Sequence, residues 1–141
     1  MDDAALLRAS QRERSLYAEL RESYRVLATM LADGGAPLDP GRVAAERERA
    51  DATAAALAKI AATIAPHRLA GRPVAPEVRE EWRLSAALAA ETAEANALLI
   101  ALARTRQVDL RARLAQLGET RRVLRGYRPP GKARSVSLER A

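Results

Sequence analysis

Apolar side chains recur at helical spacing along three stretches of the chain. In the first, they follow steps of four, four, three and four residues, at Leu16, Leu20, Tyr24, Leu27 and Leu31. This spacing is typical of one face of an amphipathic helix. Asp2 suits the positive end of such a helix, and Gly34 can take the left-handed backbone that often follows a last turn. We therefore predict a first helix over residues 3–32.

A second helix is predicted to begin at Asp39-Pro40 and to end at Pro66. An aspartate can cap free amides and proline suits a first turn, whereas a later proline interrupts the helical hydrogen bonds. Between these points a heptad seam runs through Val43, Arg47, Ala50, Ala54, Leu57, Ala61 and Ile64. Alanine at several seam positions permits close packing of neighbouring helices.

A third helix of about fifty residues is predicted from Glu77, because no glycine or proline occurs between Glu77 and Leu117. Its seam keeps a heptad register through Val78, Trp82, Ser85, Leu88, Thr92, Ala95, Leu99 and Leu102. Arg106, Leu110 and Leu114 then follow at steps of four, which is a stutter in the heptad pattern. We expect a bend, a break or a change of packing partner between Arg104 and Gln107.

These elements predict an all-α fold, an elongated antiparallel hairpin or bundle of three main helices. Residues 1–126 are predicted to form one helical domain. Residues 127–141 contain two adjacent prolines and scattered charges, which cannot continue a helix, and we expect them to form a flexible basic tail.

The net charge of +6 is concentrated in the last quarter of the chain. Residues 1–103 carry 13 basic and 15 acidic side chains, whereas residues 104–141 carry 11 basic and 3 acidic side chains. A nearly neutral body therefore precedes a strongly basic end.

Motifs that support catalysis or cofactor binding are missing from the sequence. There is no cysteine, and the one histidine, His67, follows Pro66 in a predicted loop. Glu91 and Glu94 share a helix face but lack the histidines of a di-iron bundle. Phosphate loops, nucleophile elbows and dinucleotide fingerprints are also absent. We expect neither an enzyme nor a protein with a cofactor, a metal site or a small-molecule substrate.

Membrane insertion and secretion are not expected from the sequence. The most apolar stretch, Leu84 to Ala103, contains Glu91, Glu94 and Asn96, so we predict that it does not span a membrane. The first residues lack the basic and apolar regions of a secretory signal, and we expect a cytoplasmic protein.

Three interpretations of the basic end remain open: binding to nucleic acid, to an anionic membrane, or to an amphipathic helix of another protein. The leucine series at Leu110, Leu114, Leu117 and Leu124 favours the third. A non-enzymatic helical adaptor that binds nucleic acid or another acidic partner through this end is the alternative.

Two stretches of the chain, together with the helical N-terminus, resemble the FlgN family of flagellar export chaperones. Asn96, Leu99 and Ile100 match an Asn-x-x-Leu-Ile-like stretch that precedes a basic helical segment, and Tyr127 and Gly131 match a Tyr-x-x-x-Gly ending after the last helix. The resemblance implies a cytoplasmic type III export chaperone. Its C-terminal helix would bind amphipathic C-terminal helices of hook-associated proteins and prevent their premature assembly, and the export apparatus would be a second partner.

The partner-binding residues predicted from the leucine series and the resemblance are Asn96, Leu99, Arg106, Leu110, Arg113, Leu114, Leu117, Arg121, Leu124 and Tyr127. Arg106, Arg113 and Arg121 are expected to surround the leucines and to steer an acidic helix towards them.

Overall fold

The computed structural model describes residues 1–127 and contains three α-helices in this part of the chain: α1 (Asp3–Ala32), α2 (Pro40–Leu69) and α3 (Pro76–Gly126). The all-α prediction, with a third helix of 51 residues, is confirmed. The chain divides into two compact units, Met1–Arg104 and Thr105–Ala141. Of the predicted flexible tail, residues 128–141 lie outside the described residues, and the prediction of one domain over residues 1–126 stays a prediction.

The first two helices begin at the aspartates that the sequence indicated. Asp2 accepts a hydrogen bond on Oδ1 from the Ala5 amide at 2.7 Å. Asp39 accepts on Oδ1 from the amides of Gly41 and Arg42 at 3.0 and 3.2 Å. Each carboxylate thereby satisfies amides that have no partner within the helix.

The prediction of a left-handed residue at Gly34 is wrong. Among the described residues, positive φ occurs at Gly71, where φ is 61°. Asp33 accepts hydrogen bonds from the Gly35 and Ala36 amides, both at 3.3 Å. This aspartate turn closes the chain after α1 without a left-handed glycine, whereas the chain after α2 uses one.

The predicted end of α2 at Pro66 is also wrong. The helix continues through Leu69, and the Ala70 amide donates to the Pro66 carbonyl at 3.0 Å. A proline this close to the C-terminus removes only one helical hydrogen bond, so the last turn can still form. His67 consequently lies in this last turn and not in a loop.

The core of the first unit consists of two clusters of aliphatic residues. Leu16 and Leu20 of α1 pack with Ala50 and Leu57 of α2. Nearer the start of α1, a second cluster joins Leu6, Ile64 and Val78. Since early residues of α1 meet late residues of α2, these two helices are antiparallel, and the second cluster brings in the first turn of α3.

The predicted seam of α3 faces the interior of the first unit. Val78, Ser85 and Thr92 are buried, and the other seam residues up to Leu102 are half-buried. The Thr92 Oγ1 atom lies 3.2 Å from the Tyr17 carbonyl of α1. A bend, a break or a change of packing partner was predicted at 104–107. A break is not observed, since these residues are helical, and the boundary between the two units falls within this segment.

A polar cluster, here called the junction cluster, joins all three helices and consists of Ser10, Glu13, Arg68 and Trp82. The Glu13 carboxylate is fully buried and accepts from Arg68 Nη1 at 3.0 Å and Nη2 at 2.5 Å. The Arg68 guanidinium carbon lies 5.2 Å from the centre of the Trp82 ring. Trp82 donates from Nε1 to Ser10 Oγ at 2.8 Å. A two-point ion pair and a cation–π contact therefore connect α1, α2 and α3.

Arg68→Met is expected to destabilise the first unit by about 3 kcal/mol, because it leaves the buried Glu13 carboxylate without a cation. This loss of stability is at the low end of the range for breaking a buried ion pair, since the Arg68 side chain is 35% exposed. Urea unfolding measures the loss. Arg12→Met is the matched control, because its pair with Glu19 is exposed on both sides and should contribute less than about 1 kcal/mol. Equal losses in the two variants would contradict this role of Glu13.

Truncation after Ala103 is expected to leave a protein with a cooperative helical melt. Both aliphatic clusters and the junction cluster lie in residues that this variant retains. Circular dichroism during heating tests the expectation. Truncation after Leu88, which also removes the Thr92 contact with α1, should lower the melting temperature. A non-cooperative signal from the longer variant would show that residues after 103 belong to the same core.

Candidate protein-binding surface

The predicted partner-binding residues differ in exposure and belong to both units. Asn96 and Leu99 lie in the first unit and are half-buried. In the second unit Arg106 is half-buried, whereas the remaining residues are exposed: Leu110, Arg113, Leu114, Leu117, Arg121, Leu124 and Tyr127. The exposed members all lie in the last turns of α3 or directly after it.

Four leucines of the second unit share one side of α3 and are here called the leucine face: Leu110, Leu114, Leu117 and Leu124. Successive residues of an α-helix are turned by about 100°, which places the four within an arc of about 80°. Their exposures are 45, 67, 55 and 66%. Four large aliphatic side chains on one side of a helix form an apolar strip that is available to a partner.

Three arginines that sequence reasoning missed, Arg111, Arg122 and Arg125, form the basic flank of the leucine face. They lie within an arc of about 60° next to Leu114, and all are exposed. Arg121, which was expected at the rim, lies in the middle of the leucine face. The rotation of about 100° per residue, applied to the sequence, is the signal that places these three arginines on one side of the helix.

The other charged residues of the second unit are arranged unequally around α3. Arg113 lies at the edge of the leucine face that is opposite to the basic flank. Asp109 and Glu119 point away from the leucine face, at about 100° and 180° from Leu110. Residues 105–127 contain six arginines and only two acidic residues, so the surface around the leucines is strongly positive.

Asn96 and Leu99 lie on the side of α3 that packs within the first unit. Of the neighbouring large apolar residues, Leu98 and Ile100 are exposed, at 56 and 43%. Of the three residues that carry the family resemblance here, Ile100 therefore offers an exposed apolar surface, whereas Asn96 and Leu99 do not. Asn96 and Leu99 fit a packing role better than a direct contact with a partner.

Helix α3 contains one 18-residue window that, by length and composition, could cross a membrane. Its mean hydropathy is 1.4, and 6% of the window is buried. The apolar stretch between Arg83 and Arg104 includes Glu91 and Glu94, whose charges are costly in a bilayer. That α3 does not span a membrane stays a prediction.

Ionisable groups of the first unit show electrostatic effects that fit packing and surface ion pairs. Burial raises the pKa of Tyr17 and of Tyr24, and the nearby Glu13 carboxylate adds to the rise at Tyr17. On the surface of α3, Arg83 lowers the pKa of Glu80 through a hydrogen bond of 2.6 Å.

A groove of about 510 Å³ lies between α1 and α2 in the first unit. Three glutamates and one arginine line it together with small and apolar side chains: Glu19, Glu22, Glu46, Arg49, Ala18, Ser23, Val26 and Thr53. Within residues 1–127 no group of three or more histidine, aspartate or glutamate residues is arranged to hold a metal ion.

No family model, curated protein or solved structure matches the chain. The leucine face and its basic flank are therefore interpreted from their own geometry and charge.

Proposed function

We propose that the chain is a non-enzymatic binding protein that holds an amphipathic helix of another protein on the leucine face of α3. The observation that carries this proposal is the exposure of all four leucines on one side of a helix. A partner helix with apolar residues at matching spacing would cover them as a helix-in-groove or helix-pair contact. Burial of each leucine contributes about 1.5 to 3 kcal/mol before the costs of association.

The charge around the leucine face favours an acidic partner. Arg111, Arg122 and Arg125 lie along one edge and Arg113 along the other, so carboxylates on both sides of the partner's apolar strip would meet arginines. Guanidinium groups can bind carboxylates through two hydrogen bonds, which favours one orientation and one register of the bound helix.

The particular role that we propose is that of a cytoplasmic chaperone for type III flagellar export. Its clients would be hook-associated proteins, whose amphipathic C-terminal helices it would bind and keep from assembling early, and it would deliver them to the export apparatus. The resemblance of Asn96, Leu99, Ile100 and Tyr127 to the FlgN family supports this role. The proposal involves no cofactor, no small-molecule substrate and no membrane-spanning segment.

Leu114→Ala combined with Leu117→Ala is expected to weaken binding of a hook-associated client by more than about tenfold, since two buried leucines are lost from the contact. The melting temperature should change little, because both side chains are more than half exposed. Calorimetric titration with a peptide of the client's C-terminal helix, together with a thermal melt, measures both quantities.

The matched control is Val108→Ala combined with Val123→Ala. These valines are 64 and 72% exposed on the opposite side of the same helix, so binding should be unchanged. If the leucine variant unfolds, the leucines are internal packing residues. If it stays folded and binds normally, the binding surface lies elsewhere. Either result would contradict the proposal.

Nucleic-acid binding through the basic flank is the second candidate function, favoured by three exposed arginines on one side of α3. We expect any such binding to be independent of base sequence and to weaken steeply with salt, because phosphate contacts alone release counterions. Fluorescence anisotropy with labelled duplexes at increasing salt tests this. Sequence-selective binding that persists at about 200 mM salt would make nucleic acid the better candidate.

A further inference from the structure

The side of α3 that points away from the core of the first unit is apolar from Ala87 to Leu98, except at Glu94. This outer face consists of the following exposed residues: Arg79, Glu80, Arg83, Ala87, Ala90, Glu94, Ala97 and Leu98. It lies opposite the buried Val78, Ser85 and Thr92 at 100° per residue. A helix that is apolar on both sides usually has a partner on both sides, and here only the inner side is covered.

Two charged residues lie near the centre of the outer face and have opposite signs. Arg83 and Glu94 are eleven residues apart, about 16 Å along the helix and within about 20° of each other around it. Arg83 contacts its own Glu80 on the surface. Glu94 has no ion pair within residues 1–127.

We propose that a second copy of the chain packs antiparallel on the outer face, with Arg83 of each copy against Glu94 of the other. A two-fold axis between residues 88 and 89 satisfies both pairs at once, as an isologous interface requires. Ala87 and Ala90 then flank the axis, where small side chains let the two helices approach closely. Ala97 lies opposite Glu80 of the second copy and Leu98 opposite its Arg79, whose aliphatic stems can cover them.

Charge order favours a second copy in the antiparallel orientation as the occupant. A parallel copy would set Arg83 against Arg83 and Glu94 against Glu94, which is repulsive. A lipid bilayer would cover the apolar residues but would leave both charges without partners, at high cost. The outer face lies on a different part of α3 from the leucine face, so this interface is independent of the proposed client binding.

The test compares the mass in solution of the wild-type chain with that of two charge reversals, Arg83→Glu and Glu94→Arg, by sedimentation equilibrium. We expect a wild-type dimer and, for each variant alone, a dissociation constant raised by at least about tenfold, because two attractive pairs become repulsive. An equimolar mixture of the two variants should regain the dimer. One copy then carries acidic side chains at both positions and the other carries basic ones, so each pair is again attractive.

Arg47→Glu and Glu48→Arg serve as controls, because both residues are exposed on α2 and lie outside the outer face. They should dimerise like the wild-type chain, and circular dichroism should show unchanged helix content in all four variants. A monomeric wild type, single variants that dimerise normally, or a mixture that stays monomeric would each overturn the proposal. Flotation of the monomeric wild-type chain with anionic vesicles would assign the outer face to a membrane instead.

Discussion

The buried Glu13 carboxylate sets the arrangement of the first unit. A carboxylate without contact with water needs a cation and hydrogen-bond donors, and Arg68 supplies both through two hydrogen bonds. Arg68 can reach Glu13 only if the chain stays helical past Pro66. The same guanidinium also contacts the Trp82 ring, which places the start of α3 beside the end of α2. One buried charge thus positions three helix segments.

The helices were largely predictable from the sequence because their signals are local. Apolar spacing gave the inner sides of α1 and α3, and the aspartates before the first two helices gave their starting points. The end of α2 was not predictable in this way. Pro66 is a local signal for termination, whereas the contact that favours continuation joins Arg68 to a glutamate 55 residues away. A glutamate in an amphipathic helix also gives no sign in the sequence that it is buried.

The candidate site was predictable in its leucines and less so in its charges. The spacing of Leu110, Leu114 and Leu117 places them on one side of any α-helix. Arg106, Arg113 and Arg121 were expected to surround the leucines. At about 100° per residue, Arg121 instead lies among the leucines, and the basic flank consists of other arginines. The side of a helix on which a charged residue lies depends on its exact angle, which spacing along the sequence shows less directly than it shows an apolar stripe.

The leucine face and the outer face of α3 differ in side-chain size and in charge, and these differences favour different partners. The leucine face has large side chains with like charges along its edges, so it repels a copy of itself and attracts an acidic helix. The outer face has mostly small side chains, with one positive and one negative residue on its centre line. It is therefore complementary to the same face of a second copy in the antiparallel orientation. Size and charge order together therefore favour a client helix on one surface and self-association on the other. A single helix can hold both partners because the two surfaces share no residue.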